Sequence, residues 1–530
     1  MNFRAVRWLL GALCFIVGAA LLAPASVGFY FAEEAATRAC LTSAGVSFLS
    51  GTILLWSGRN RGFRLDPALP LGERWRAWFA QSLTDRGRVD FFRREGLAVA
   101  GLTWFLAGAL GALPYYLTEL TVNPMDAIFE AVSGFTTTGS TVLPGETIDR
   151  FHGDLKSIGF WRSFTHWLGG FGIVMVFVVL FPTGGRSLFR SEIPGIAREA
   201  GRQRVRDSAV SLLWVYLGLS VLQFALLHLV GEMSLFDSVI HTFGTIATGG
   251  FSNYSESVAA FGSFRVELII GVFMFLAGIN FAYYQLALEK GWAGFGRAWR
   301  EAVSSTEVRV YAGLTFGSIL MIGTVLWFWG GSNGAEGSDL PDYRSYLHAL
   351  RDAFFQVICL ETSTGYGTAD FDRWPQVCRI WLMMLAIIGA CAGSTGGGVK
   401  VVRFIIAAKA AMRAVRALIR PRAIYVVQVD DDTLDDAVVS GITGYFVLWI
   451  FVFMGGTVFM AMYGIDLETS ATAVVATLNN IGPGLGLVGP TMNFAELPVL
   501  VKALLTVFMI LGRLEFYAVV ALFVPSFWRS

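Results

Sequence analysis

Four short stretches of this 530-residue chain hold its most distinctive chemistry: SGFTTTGSTVL at 133–143, GTIATGGFSNY at 244–254, TSTGYGTADF at 362–371 and NNIGPGLGLVG at 479–489. They offer glycine, hydroxyl groups and backbone rather than a paired acid and base. Glycine lets the chain turn through conformations closed to other residues, so successive carbonyl oxygens can be aimed at one point. A ring of such carbonyls can replace the hydration shell of a metal cation. One loop cannot close a ring, so four would have to act together. The glycines Gly139, Gly249, Gly365 and Gly482 lie 110, 116 and 117 residues apart, and so regular a period signals internal repetition.

The repetition extends upstream. DAIFEAVSGFTTTG (126–139) and DAFFQVICLETSTG (352–365) both place Asp-Ala-x-Phe thirteen residues before the glycine, while DSVIHTFGTIATG (237–249) is one residue shorter. Asn123-Pro124 predicts a helix start, a capping side chain followed by proline in the first turn. Each unit therefore reads as span, short half-helix, glycine loop, span. A half-helix entering from outside ends with its negative dipole pole pointing inward, which favours a cation at the membrane midplane. Irregular backbone at that depth is tolerated only where it lines a cavity.

Two further features fall below the loops. The apolar stretch 376–410 is interrupted by Ala392-Gly393-Ser394-Thr395-Gly396-Gly397-Gly398. Each interior glycine costs a helix about 1 kcal/mol relative to alanine, so three in a row predict unwinding. Gly393 and Gly398 have phosphate-loop spacing, but Val399 stands where that motif needs lysine and no serine or threonine follows Lys400, which argues against nucleotide binding. Arg513 lies inside the last apolar stretch, where a charge costs ~2.5–3.5 kcal/mol; it must face a cavity or a carboxylate. Glu515, two residues on, points to a different side of a helix. Lys400 is expected to snorkel to the inner interface, and Arg162 and His166 to anchor the outer end of their span.

The elements that must position these residues are membrane spans. The chain is 55% hydrophobic and 15% charged, against roughly 25% charged in soluble domains, and its mean hydropathy is +0.59. Stretches of about 20 apolar residues lie near 7–31, 36–58, 96–118, 158–182, 208–230, 263–288, 309–330, 376–392, 437–463 and 500–526. Arg4, Arg7 and Ala23-Pro24-Ala25 give the first a signal-peptide flavour, but it runs on to about Phe31, beyond the ~7–15 residues of a signal core, and it reads as a retained helix. Lysine and arginine crowd 59–94, 183–207, 289–309 and 400–422, whereas the alternate connections carry Glu119, Glu146, Asp149, Glu336, Asp339 and Asp342. The basic set is expected to be cytoplasmic, with both termini on that side and a mildly acidic outer mouth that concentrates cations. A net charge of +1 gives no basicity for nucleic acid. The five cysteines show no CxxC and the five histidines are scattered, so neither a metal site nor a resident cofactor is expected.

Ser363-Thr364-Gly365-Tyr366-Gly367 resembles the Thr-Val-Gly-Tyr-Gly loop of potassium channels. More broadly, TTTGST, IATGGFS, TSTGYGTADF, NNIGPGLG, RSFTHWLGGFGIVM (162–175), AGSTGGGVK (392–400) and GRLEFY (512–517) resemble phrases of the Trk/Ktr/HKT superfamily of potassium transporters, in its TrkH-like bacterial branch. The resemblance covers nearly the whole chain. It implies an all-α polytopic membrane protein: four M1–pore-helix–M2 repeats around a pseudo-fourfold pore, after two N-terminal helices. The expected divisions are 1–95 for the hairpin and basic loop, 96–207, 208–308, 309–422 and 423–530 for the repeats. The resemblance further implies a homodimer with a pore in each protomer, a cytosolic nucleotide-binding regulatory ring of the RCK type, TrkA-like, and a bacterial or archaeal cytoplasmic membrane. Nucleotide is expected on that partner, and potassium is the transported substrate.

The same resemblance assigns a filter of Thr137-Thr138-Gly139, Ala247-Thr248-Gly249, Ser363-Thr364-Gly365 and Asn480-Ile481-Gly482. On that alignment three loops put threonine before the glycine and the fourth puts Ile481, which has no hydroxyl. Relatives with serine at the first filter glycine tend towards sodium, so Gly139 implies potassium. Gly393 to Gly398 are implied to be a mobile loop under the filter, and Arg513 a charge beside the conduction path. The expected function is potassium-selective uptake. The alternatives are a proton- or sodium-coupled cation symporter and a membrane enzyme. Four same-sense repeats fit a pore better than the paired inverted repeats of coupled transporters; no convergent acid, base and nucleophile supports an enzyme.

Overall fold

The computed structural model describes residues 1–58, 93–180, 202–289, 291–332, 343–423, 425–430 and 432–528. Residues 59–92 and 183–201 of the basic connections, and Glu336, Asp339 and Asp342, lie outside the described residues.

The chain opens with α1 (Phe3–Tyr30) and α2 (Glu34–Ser57), packed as a hairpin. Gly11, Gly18 and Gly51 lie so close to the facing helix that a Cβ would meet Leu55, Phe48 or Phe15. Such small-residue contacts let membrane helices approach where no hydrophobic drive exists.

Four units come after the hairpin. The first is α3 (Arg93–Gly111), α4 (Pro124–Phe135) and α5 (Lys156–Leu180); the second is α6 (Arg202–Leu229), α7 (Leu235–Ile246), α8 (Phe264–Ala277) and α9 (Phe281–Glu289). An amphipathic helix α10 (Gly291–Ser304) leads to the third, α11 (Thr306–Trp327), α12 (Tyr346–Glu361), α13 (Gln376–Ile388) and α14 (Val401–Ile419). The fourth is α15 (Asp436–Ala461), α16 (Leu467–Leu478), α17 (Val499–Arg513) and α18 (Tyr517–Val520). The turn between α1 and α2 is tied to the first unit: the Glu33 carboxylate accepts from Lys156 N at 2.7 Å and Ser157 N at 3.0 Å. It thus satisfies open amides in the first turn of α5. Asn123 caps α4 as its sequence predicts, accepting from Met125 N at 2.9 Å. Among the described residues six unbroken helices are long and apolar enough to cross a membrane.

Two stretches expected as single spans, 263–288 and 500–526, are sharply bent. α8 and α9 meet at 91°, and α17 meets the segment Tyr517–Phe523 at 119°. At the first break Asn280 caps the new helix, its Oδ1 accepting from Ala282 N at 2.9 Å. At the second, Glu515 and Phe516 both take positive φ, 55° and 66°, which no right-handed helix accommodates. The break after α13 falls where the glycines predict it, though it extends over residues 389–400.

One apolar core joins α1 to α5 with α15, α16 and α17; another joins the second and third units. Ion pairs then clasp the first turns of the later helices to the short helix of the next unit. Glu267 of α8 pairs with Arg351 of α12 at 2.6 Å, Arg379 of α13 with Glu468 of α16 at 2.5 Å, and Lys502 of α17 with Asp126 of α4 at 2.5 Å. The last clasp returns the fourth unit to the first.

Candidate functional site: four glycine loops and the segment beneath them

The short helices α4, α7, α12 and α16 end alike. After the cap residue (Thr136, Ala247, Thr362, Asn479) the next residue turns left-handed: Thr137 at 54°, Thr248 at 52°, Ser363 at 59° and Asn480 at 53°. The N–H one residue further on reaches back into the helix: Thr138 to Ser133 O at 2.9 Å, Gly249 to Gly244 O at 2.7 Å, Thr364 to Cys359 O at 2.8 Å and Ile481 to Ala476 O at 2.9 Å. This is the six-to-one bond of a Schellman turn. Such φ values are uncommon without glycine; held at one position in four loops, they mark local strain of the kind found at functional sites. The next residue is left-handed again, Gly139 at 83°, Gly250 at 80°, Gly365 at 84° and Gly482 at 103°.

This pattern corrects the register of the second loop. The equivalent of Gly139 is Gly250, one residue beyond Gly249, and the triplet is Thr248-Gly249-Gly250 rather than Ala247-Thr248-Gly249. Asp237 then stands thirteen residues before its glycine, as Asp126 and Asp352 do. Two adjacent glycines made both alignments legible, and the backbone decides between them.

The loops close on one another. A Cβ added at Gly139 would meet the Gly249 carbonyl oxygen; at Gly250, that of Thr364; at Gly365, that of Ile481; at Gly482, that of Thr138 at 3.1 Å. Each glycine thus lies against the carbonyl of the residue before the glycine in the next loop, and the fourth loop lies against the first. Side chains tie the first and fourth loops: Ser140 Oγ donates to Gly482 O at 2.8 Å and Asn480 Nδ2 to Thr138 Oγ1 at 2.9 Å. In the corrected register only Thr138 and Thr364 put a hydroxyl before the glycine; Gly249 and Ile481 do not. Those two hydroxyls lie 2.7 and 2.8 Å from Thr136 Oγ1 and Thr362 Oγ1. At that position the hydroxyls are twofold around the loops, whereas the backbone is fourfold.

Arg162 and His166 of α5 brace this ring, as anchoring residues would. Arg162 is buried, pairs with Glu130 Oε1 at 2.7 Å, donates to Ser252 O at 2.8 Å and lies 3.5 Å from the centre of the Phe251 ring. Glu130 also accepts from Val142 N and Thr141 Oγ1, each at 3.0 Å. Sequence reasoning passed over Glu130; the signal was an acid within an apolar half-helix. Breaking a buried pair by removing one partner costs about 3–5 kcal/mol, so Glu130→Ala should sharply lower the melting temperature of the detergent-solubilised protein. An unchanged melting curve would show that this brace is dispensable.

Residues 389–400 lie directly under the loops. Gly397 N donates to Ser363 Oγ at 2.5 Å and Gly398 N to Asn479 O at 3.0 Å. A Cβ at Gly396 would come within 3.1 Å of Thr362 O. Thr395 Oγ1 donates to Ile246 O at 3.0 Å, and Ser394 Oγ to Cys391 O at 2.6 Å. Gly393 O accepts from Phe281 N at 3.1 Å at the break between α8 and α9. From below, Glu307 Oε1 of α11 accepts from Ala392 N at 2.7 Å. Lys400 does not snorkel: it is buried, has a φ of 80°, and its Nζ donates to the Gly396 carbonyl. The unwound carbonyls need a donor, and turning inward supplies one.

Arg513 ends α17 rather than lying within it. It is buried; Nη1 donates to Thr395 O at 3.0 Å and Nη2 to Gly169 O at 3.3 Å. Its hydrogen bonds go to carbonyls, and among the described residues no carboxylate forms an ion pair with it; Glu515 pairs with Arg403 of α14. All four loops, the broken segment and Arg513 therefore form one connected site.

The model of the TrkH family, described as a cation transport protein, matches residues 82–530. The chain belongs to the TrkH family. TrkH-family relatives span its full length: the Trk system potassium uptake protein TrkH of Halomonas elongata is 32% identical over 100% of both chains, and that of Escherichia coli K12 is likewise 32% identical over 100% of both. The crystal structure of the potassium transporter TrkH from Vibrio parahaemolyticus superposes with a TM-score of 0.83 at 29% identity, covering 100% of each chain. TrkH membership agrees with the helical membrane fold expected above, to which the described residues add one short antiparallel ladder of Gln428–Val429 against Asp432–Thr433, and makes the chain a transport protein rather than an enzyme.

Proposed function

We propose that this TrkH-family chain is a potassium-selective uptake pathway of a bacterial or archaeal cytoplasmic membrane. The carrying observation is the closed succession of loop contacts, from Gly139 through Gly250 and Gly365 to Gly482 and back. Carbonyls of Thr137, Thr138, Thr248, Gly249, Ser363, Thr364, Asn480 and Ile481, with those of the glycines, would take over the hydration shell of the ion. The short helices add the negative ends of their dipoles. The names of the full-length relatives support potassium as the ion.

In this reading residues 393–398 and Arg513 are the gate. The segment blocks the path below the loops, and Arg513 holds it through Thr395 while placing a positive charge beside the path. The membrane potential drives entry. A unit charge gains about 2.3 kcal/mol per 100 mV, enough for roughly 50-fold accumulation at 1.4 kcal/mol per decade, so no coupling ion is required. Both termini face the cytoplasm, the repeats divide at 96, 208, 309 and 423, and two copies assemble as a homodimer. A TrkA-like RCK ring, carrying the nucleotide, docks on the inner face and works the gate.

The test is rubidium uptake into liposomes that hold the purified protein under an imposed potential. Rubidium should enter readily and sodium poorly, with flux following the potential and no proton or sodium movement in fixed ratio to it. A fixed stoichiometry with either ion would replace this reading by coupled symport.

A further inference from the structure

The four loops differ most at the residue that ends each short helix. Phe135, Ile246 and Leu478 end α4, α7 and α16, but Glu361 ends α12. All four are buried. Glu361 Oε2 accepts from Thr315 Oγ1 of α11 at 2.6 Å, and Oε1 has no hydrogen-bond partner among the described residues. The titratable groups that face it are Tyr311 of α11 and Cys391 of the broken segment; among the described residues no basic side chain pairs with it.

Packing does not account for this acid, since the same position holds an apolar side chain three times over. Nor does Thr315 need it: its hydroxyl has a second acceptor within its own helix, Tyr311 O at 2.9 Å. An ionisable group inside a membrane protein is expensive to keep and marks an ion path by default. Glu361 immediately precedes Thr362, whose hydroxyl touches Thr364 Oγ1 at 2.8 Å, and it stands two residues before Ser363, which receives Gly397 N. Its side chain reaches Thr315 of α11 just behind the third loop, and Cys391 of the segment beneath faces it.

We propose that Glu361 is a further determinant of cation binding, an acid behind the third loop whose negative charge is stabilised by the cation that the loops hold. The inference rests on the reading of the loops as a cation path. Each helix end contributes about half a unit of negative charge; a carboxylate added at one of them makes that corner of the ring the most attractive, so the ion is held unevenly. The pathway then needs this charge to bind its cation at low external concentration.

The experiment measures rubidium uptake against rubidium concentration in proteoliposomes, for the full chain and for Glu361→Gln, Glu361→Leu and Glu361→Asp. The neutral variants should raise the concentration giving half-maximal flux about tenfold, equivalent to 1.36 kcal/mol. The aspartate should stay within about twofold of the original. If the unaltered protein carries no rubidium, the cation-path reading itself fails. If it conducts and an assembled neutral variant keeps the original half-saturation, the carboxyl is uncharged and the proposal is overturned. It is equally overturned if only Glu361→Asp assembles, because the acid is then structural.

Discussion

Replacing Arg513 by alanine should raise rubidium flux about tenfold at fixed potential. The guanidinium is buried at the end of α17 and bound to Thr395 O and Gly169 O. A unit positive charge ~8 Å from a passing cation costs that cation about 2 kcal/mol at an effective dielectric constant near 20, which corresponds to roughly thirtyfold in rate. Part of that is screened by the carbonyls it touches, hence the smaller figure. A second contribution would come from the segment proposed as the gate. Thr395 O loses a charged donor, and the hold on residues 393–398 weakens. Arg513→Lys separates the two effects, since it keeps the charge but not the two-armed grip. Flux that stays level or falls in assembled Arg513→Ala protein would remove Arg513 from the barrier.

The second large effect is expected at Gly139. Its φ of 83° is costly for any residue with a Cβ, about 1–2 kcal/mol. The Cβ of Gly139→Ser would also press on the Gly249 carbonyl oxygen of the next loop. The ring must open at that joint or turn a carbonyl aside, and the serine hydroxyl offers a replacement ligand suited to a smaller, more strongly hydrated ion. Sodium permeation relative to potassium should rise about tenfold, a difference of 1.4 kcal/mol. Gly250→Ser should behave similarly, because its Cβ would meet the Thr364 carbonyl. The measurement is the reversal potential or flux ratio in mixed sodium and potassium. An unaltered ratio in both variants would detach these glycines from selectivity.

Much of this site is legible without any coordinates. Four Thr- or Asn-containing glycine loops between apolar stretches, the Asn123-Pro124 start and the run Gly396-Gly397-Gly398 each carry a local signal with a local cause. Other features have none. The bend after Arg513 falls on Leu514, Glu515 and Phe516, none of which breaks a helix by its own nature; two left-handed residues appear there because the chain leaves α17 to reach Tyr517. The bend at Gly278-Ile279-Asn280 has a faint signal, too weak to set against so apolar a stretch. Glu515 does turn away from Arg513, but through the left-handed break in which it lies rather than through helical geometry, and its partner Arg403 lies 112 residues away. Lys400 departs from expectation because a long side chain beside an interface ordinarily reaches for water, and here an unwound carbonyl is closer.

By itself the sequence determined what each segment could be: which stretches can cross a membrane, which must turn through glycine, and that one motif recurs four times. Those properties depend on hydrophobicity and local backbone freedom, both of which are written residue by residue. Only the tertiary structure decided that Gly250 rather than Gly249 is the backbone equivalent of Gly139, and that each loop lies against the next. It alone brought Arg513 and Glu307 to the same unwound segment. Those outcomes depend on which acceptor meets which donor between parts of the chain far apart in sequence, and spacing along a sequence does not encode that geometry.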